Sequence, residues 1–348
     1  MSTRCVRWIS LFGLSLVSGL AQQAPPANRQ ITLDVVVTDK SGKPVGGLTQ
    51  QDFKLLDNKQ PQKILSFDAI QGGAATPDPP VEVVLLVDEV NTRFTNVSFE
   101  RSQIDKFLKR DGGKLPRAVS LAVLSDAGMA LGHVTTQDGN ALAAELEKNQ
   151  AGLRSITRSE GVYGADDRLG LSLNALEQLA NFESPKPGRK LVIWISPGWP
   201  LLTGPNIELS DKDQQRLFNS IVSLSDLMRR ARITLYSVDP LGTNDAGGYR
   251  TTYYEEFLKG VKKPRQVQLG DLALQVLATQ SGGRVLNSDN DVTSEIATCI
   301  ADANDFYVLT LDGLAGDGPN EYHSLEIKLG KPGLKALTRT GYYAQPAR

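Results

Sequence analysis

The chain has 348 residues, 40% of them hydrophobic and 22% charged, with a formal net charge of −1. This is globular composition, long enough for a large core and for more than one domain, and it excludes an intrinsically disordered chain. No basic stripe with interleaved aromatics is present, so nucleic acid is not an expected partner. Arg4 and Arg7 make a short basic start, Trp8 to Val17 is apolar, and Gly19-Leu20-Ala21 puts small residues before a cleavage point. The pattern predicts a secretory signal peptide over residues 1–21, with a single membrane anchor as the alternative. The apolar stretch is shorter than the roughly 20 residues a spanning helix needs, which favours cleavage. Export to the periplasm, the cell surface or the medium follows. Cys5 would leave with the leader and Cys299 would remain alone, so no internal disulfide is expected.

Residues 22–72 read as an N-terminal β segment. Ile31, Leu33, Val35 and Val37 alternate as one face of a strand, and Phe53–Leu56 and Ile64–Phe67 read as two more. Residues 72–80 are rich in Gly and Pro and read as a linker. The rhythm changes at Val81–Val87, a nearly continuous apolar run of the kind expected for a strand buried on both faces. Further strands are predicted at Ala118–Leu124, Leu191–Ile195, Ile233–Val238 and Arg284–Leu286, with a short one at Met129–Val134. Helices are predicted at Ser98–Arg110, Asp138–Leu146, Asp167–Phe182, Asp211–Arg230, Asp271–Gln280 and Val292–Ala301. This alternation over residues 81–303 predicts an α/β domain with a doubly wound, mainly parallel sheet. Residues 304–345 return to β, with strands at Phe306–Leu311, Tyr322–Lys328 and Leu334–Thr340. Each flanking segment has too few strands for a core of its own, so the two are expected to pair into one discontinuous β domain.

Ligands of open α/β sheets sit outside the carboxyl ends of the strands. Four segments deliver residues there: Asp88-Glu89-Val90-Asn91-Thr92, Ser125-Asp126, Ser196-Pro197-Gly198-Trp199-Pro200 and Asp239-Pro240. Carboxylates and hydroxyls on one rim suit Mg²⁺ or Ca²⁺, or they cap helices and turns. Trp199 reads either as an exposed aromatic anchor or as a Trp packed under its loop. His133 and His323 lie in different segments without metal spacing. No nucleophile elbow, phosphate loop or zinc-protease motif occurs. No enzyme is expected, although a hydrolase using Asp88, Glu89 and Asp126 together is conceivable on carboxylate placement alone.

Val81–Thr92 and the elements after it resemble the von Willebrand factor A domain. More closely, the chain resembles the von Willebrand factor A-related proteins typical of Acidobacteria. The residues that carry this are Leu33-Asp34-Val35-Val36-Val37-Thr38-Asp39 with Gly47-Leu48-Thr49-Gln50-Gln51-Asp52-Phe53, then Gly188-Arg189-Lys190 through Trp199-Pro200. Ser281-Gly282-Gly283-Arg284 and Thr338-Arg339-Thr340-Gly341-Tyr342-Tyr343 complete them. The resemblance implies a rim that binds proteins, in many such domains through a metal-ion-dependent adhesion site headed by Asp-x-Ser-x-Ser. Asp88 matches the Asp and Thr92 the second Ser, but Val90 stands at the first Ser. Ser196-Pro197-Gly198 stands where a later Asp is usual, and the loop Thr has no clear match near Asp166 and Asp167.

The resemblance therefore implies a degenerate site with Asp88 and Thr92 as its remaining metal ligands. The expectation is an exported protein-interaction module, without cofactor or with Mg²⁺ or Ca²⁺. Its rim residues Asp88, Thr92, Trp199 and Asp239 would face a protein partner. The alternatives are a divalent-metal-dependent adhesion domain and a structural cell-envelope component.

Overall fold

The computed structural model describes residues 29–72, 81–132, 134–148, 161–200, 209–242 and 252–347. The predicted leader, most of the predicted linker and His133 lie outside them.

In chain order the flanking N-terminal strands are β1 (Gln30–Thr38), β2 (Phe53–Asp57), β3 (Gln60–Gln62) and β4 (Ser66–Ile70). The α/β part comprises β5 (Glu82–Asp88), α1 (Phe94–Leu108), β6 (Lys114–Ser125), β7 (Gly128–Leu131), β8 (Thr136–Asp138), α2 (Gly139–Lys148) and α3 (Gly161–Glu183). It continues through β9 (Lys190–Ile195), α4 (Asp211–Arg230), β10 (Ile233–Val238), α5 (Leu274–Ser281), β11 (Val285–Leu286) and α6 (Val292–Ala301). The C-terminal strands are β12 (Phe306–Asp312), β13 (Glu321–Leu329), β14 (Lys335–Leu337) and β15 (Gly341–Ala344).

The central sheet runs β11-β10-β9-β5-β6-β7, with β8 also paired to β6. Counted within the domain, that is a doubly wound 3-2-1-4-5-6 order, parallel except for β7 and β8. Alternation along β5 sorts its side chains between two cores. Val83, Leu85 and Val87 pack with α1, α2 and α6, while Val84 and Leu86 pack with α3, α4 and α5. Burial on both faces explains why β5, β9 and β10 are continuous apolar runs.

The flanking segments do pair. β1 lies between β12 and β14, and β13 lies between β2 and β15, all antiparallel. Neither segment could close this core alone. Ile31, Leu33, Val35 and Val37 bury against Tyr307, Leu309 and Leu311. The expected doubly wound sheet with a discontinuous β domain is the architecture found.

Several boundaries differ from the sequence expectation. α1 starts at Phe94, four residues before Ser98. The Arg93 position makes no side-chain capping bond, so no capping signal marks that start. Asp167 lies inside α3 rather than at its start. The strand expected at Leu334–Thr340 is only the short β14, and a further strand that was not expected, β15, follows it where the chain turns from pairing with β1 to pairing with β13. Among the described residues no helix is long and apolar enough to cross a membrane.

Candidate functional site

The strand order reverses between β5 and β9, so the crevice beyond their carboxyl ends is where a doubly wound sheet places a ligand. Asp88 ends β5 at this point, and it is 0% exposed. Its Oδ1 accepts the Asn91 backbone N–H at 2.9 Å. Its Oδ2 accepts Asn91 Nδ2–H and Trp194 Nε1–H, both at 2.8 Å. Asn91 donates also to Ser172 Oγ on α3 at 2.8 Å, which ties the β5–α1 loop to the opposite helix layer. Burial raises the Asp88 pKa, while hydrogen bonds from Asn91, Trp194 and Ser196 hold it down.

The rest of the expected site is equally enclosed. Val90 and Thr92 are buried, and Glu89 is buried in an ion pair with Arg101 at 3.0 Å. Glu100 projects from α1 beneath them, fully buried. Desolvation pushes its pKa well above the usual carboxyl value, and the nearby Asp88 and Glu89 charges push it the same way. The neutral acid is therefore the favoured form, in which it adds no charge to two buried carboxylates.

Trp199 is 3% exposed and packs edge-on against Trp194, ring centroids 5.0 Å apart. Gly198 has a φ of 101°, and a Cβ there would meet the Gln275 side chain at 2.5 Å. This glycine turns the β9 loop back so that Trp199 seats in the crevice. Of the two readings of Trp199, the packed one holds.

A rim on which Asp88, Thr92 and Trp199 face a partner is therefore corrected. All three are buried, because the tryptophan pair fills the crevice and the Asn91 turn closes over Asp88. Asp239, the fourth expected residue, is half-buried at the end of β10, with Oδ1 accepting the Leu241 N–H at 2.9 Å. Asp126 sits in the β6–β7 turn, and Asp166 and Asp167 lie on α3.

The residues do not fit a divalent ion. The two Asp88 oxygens accept three N–H donors, and an N–H donor sits where a cation would have to approach. Val90 offers no oxygen. Among the described residues no group of three or more His, Cys, Asp or Glu could hold a metal ion. Asp88 is occupied as a hydrogen-bond acceptor inside the core, and Thr92 is buried beside it. His323 is likewise a core residue, its Nδ1 bonded to Asp57 Oδ1 at 2.9 Å.

The residue that sequence reasoning missed at this rim is Phe94. It is the first residue of α1, two positions beyond Thr92, and it is 69% exposed, with Arg93 and Thr95 exposed beside it. Phe99 is exposed one turn further along α1.

Parts of the four stretches behind the family resemblance meet elsewhere, where the base of the sheet joins the β domain, while Ser196 to Pro200 stay at the opposite end of β9. Arg284 pairs with Asp302 through two bonds of 2.7 and 2.6 Å and donates to the Gly42 carbonyl at 3.0 Å. Arg189 donates to the Asp302 carbonyl at 2.7 Å and lies over the Phe306 ring. Arg232 pairs with Asp34, and Thr338 Oγ1 donates to the Asp34 carbonyl at 3.0 Å. Gly282, at φ 92°, lets α5 end against Thr338, whose backbone would be 2.6 Å from an added Cβ. These residues fix how the two domains join.

No protein-family model and no curated protein matches the chain. Solved structures similar to it include the VWA domain of SpRpn10, at 12% identity and TM-score 0.30, over 62% of this chain and 93% of that one. The PilB minor pilin from Streptococcus sanguinis matches at 11% identity and TM-score 0.35, over 68% of this chain and 63% of the pilin. The pilus adhesin SpaC from Lactobacillus rhamnosus GG matches at 9% identity and TM-score 0.36, over 86% of this chain and 49% of the adhesin. The chain thus spans less than two thirds of the pilin and of the adhesin. The fold assignment rests on the strand order, not on these likenesses.

Proposed function

We propose that this chain is an exported, von Willebrand factor A-related module that binds a protein partner at the C-terminal rim of its parallel sheet, without an ion and without catalysis. The observation that carries the reading is Phe94, a large aromatic 69% exposed at the start of α1. It directly follows a loop tied down by the Asp88–Asn91–Ser172 bonds. A rigid, exposed aromatic beside a sealed core is the kind of group that anchors a protein interface. The basic and apolar leader supports export. The contact surface shifts from the buried residues to Phe94 and its neighbours Arg93, Thr95 and Phe99. Asp88, Thr92 and Trp199 act from below, holding the rim in shape.

The test is photocrosslinking in the producing cell from a reactive residue placed at position 94, with position 216 on exposed α4 as control. A discrete protein adduct from position 94, absent from position 216, is expected. Identical adduct patterns at both positions would move the contact surface away from this rim.

A further inference from the structure

Where β1, the end of α4, the start of β10 and the chain ahead of β15 meet, arginines outnumber carboxylates. Arg232 binds Asp34, with Nη2–Oδ1 at 2.5 Å and Nε–Oδ2 at 3.3 Å. Arg229 and Arg230 share Asp226, at 2.5 and 2.9 Å. That leaves Arg339 with no carboxylate of its own among the described residues. Its side chain makes one long bond, Nη1 to the Ser225 carbonyl at 3.4 Å, although the residue is only 8% exposed. A guanidinium has five N–H donors, and a buried cation is costly unless it is paired. Burial and the neighbouring Arg229 charge lower the Arg339 pKa to about 10, so it remains a cation at neutral pH.

The partial negative charge at the end of α4, which supplies the Ser225 carbonyl, offsets only part of that charge. Arg339, Arg229 and Arg232 line a narrow crevice together with Thr32, Asp34 and Ser281. Arg232 is held in the left-handed region at φ 53°, a conformation that non-glycine residues adopt only where surrounding structure imposes it.

We infer that this crevice binds one small monovalent anion, chloride or an ion of its size, against Arg339, and that the ion completes the joint between the β domain and the α/β domain. Of the three arginines that line the crevice, Arg232 is matched by Asp34 and Arg229 by Asp226, which leaves Arg339 without a counter-charge, while Arg230 lies outside the lining and is solvated. The crevice encloses only about 10 Å³, too little for phosphate, and chloride, slightly larger than water, seats there as the Arg339 and Arg229 side chains draw back around it.

The probe is chloride itself, on the full chain and on Arg339→Met, which keeps the apolar stem but not the charge. Chloride-35 line broadening is expected to be larger for the parent protein than for the variant and to saturate as chloride is added. Melting of the parent protein should rise by about 2 °C or more in sodium chloride over sodium gluconate at equal ionic strength. Arg339→Met should melt alike in both salts. Equal broadening by the two proteins, or parent melting that ignores the anion, overturns the inference. If the variant does not fold, the parent arm decides alone, because absence of saturable broadening is itself sufficient to reject the site.

Discussion

The indole N–H of Trp194 donates to Oδ2 of Asp88 at 2.8 Å, across the two strands that flank the point where the sheet order reverses. In a doubly wound sheet that point is where a ligand would approach. Here a side chain from the same sheet occupies it, and Asp88 is a structural acceptor. Trp194→Phe keeps most of the ring's packing and removes one donor from a buried carboxylate. A loss of about 1–3 kcal/mol is expected, read from urea denaturation of the two proteins. An unchanged midpoint would mean that Asp88 does not depend on this bond.

Trp199 and Phe94 should separate folding from recognition. Trp199→Ala empties the crevice and should cost about 3–5 kcal/mol. Phe94→Ala touches an exposed side chain and should stay within about 0.5 kcal/mol of the parent protein, while abolishing capture of the partner crosslinked at this rim. A Phe94→Ala protein that captures the partner normally would remove the aromatic from the interface. Thermal melts run alongside the capture assay distinguish the two effects.

With Asp88 saturated by N–H donors, Mg²⁺ and Mn²⁺ are expected to leave the protein unaffected. Calorimetry at millimolar ion should record no binding heat, and melting should not move. A saturable heat that Asp88→Asn abolishes would restore a divalent-metal-dependent adhesion domain in place of an ion-free interaction module.

Much of the fold was legible in the sequence because burial writes itself into composition. The Val81–Val87 run and the Ile31–Val37 alternation each specify their strand. The enclosure of Asp88 was not legible in the same way. Trp194 sits inside the run Leu191–Ile195, where an apolar strand reads only as core. Pairing register was the missing datum. Trp194 lies opposite Leu86, and Asp88, two residues further along β5, shares the Leu86 face. That diagonal is within reach of a tryptophan side chain. The start of α1 was missed for a local reason, since no capping residue marks it, and with it went Phe94. The joint between the domains rests on pairs far apart in sequence, Asp34 with Arg232 and Arg284 with the Gly42 carbonyl. Asp34 and Arg284 stood in stretches singled out from the sequence, but their partners did not, and the pairing depended on the tertiary fold.

That joint should be a weak point when broken. Asp302 receives both bonds from Arg284 and one from the Tyr236 hydroxyl at 3.1 Å. Asp302→Ala leaves a largely buried guanidinium unpaired, and a loss of about 3–5 kcal/mol is expected. Chemical denaturation provides the measurement. Because Arg284, held by Asp302, also reaches the Gly42 carbonyl of the β domain, a single coincident transition should move as a whole. A variant in which only one of two transitions shifts would show that the domains unfold independently.

Glu295 supplies a pH dependence whose sign can be worked out. It is 6% exposed on α6, and its Oε2 has no hydrogen-bond partner among the described residues. Asp239 faces it from the end of β10, Asp289 and Asp291 face it from the loop before α6, and Cys299 lies one turn along the helix. Lys106 of α1 reaches toward Asp291. Burial first, and then the charges of Asp289 and Asp239, raise the Glu295 pKa from 4.5 to about 8. The folded state therefore holds a proton that the unfolded chain releases near pH 4.5. Stability falls as pH rises from about 4.5 to about 8 and is flat on either side, as far as this group is concerned. Glu295→Gln mimics the protonated acid without the titration. The variant should match the parent protein at pH 4.5 and be the more stable of the two at pH 8, with the gap opening across that window. Denaturation midpoints taken at half-unit intervals test this, and parallel pH profiles for the two proteins would contradict it.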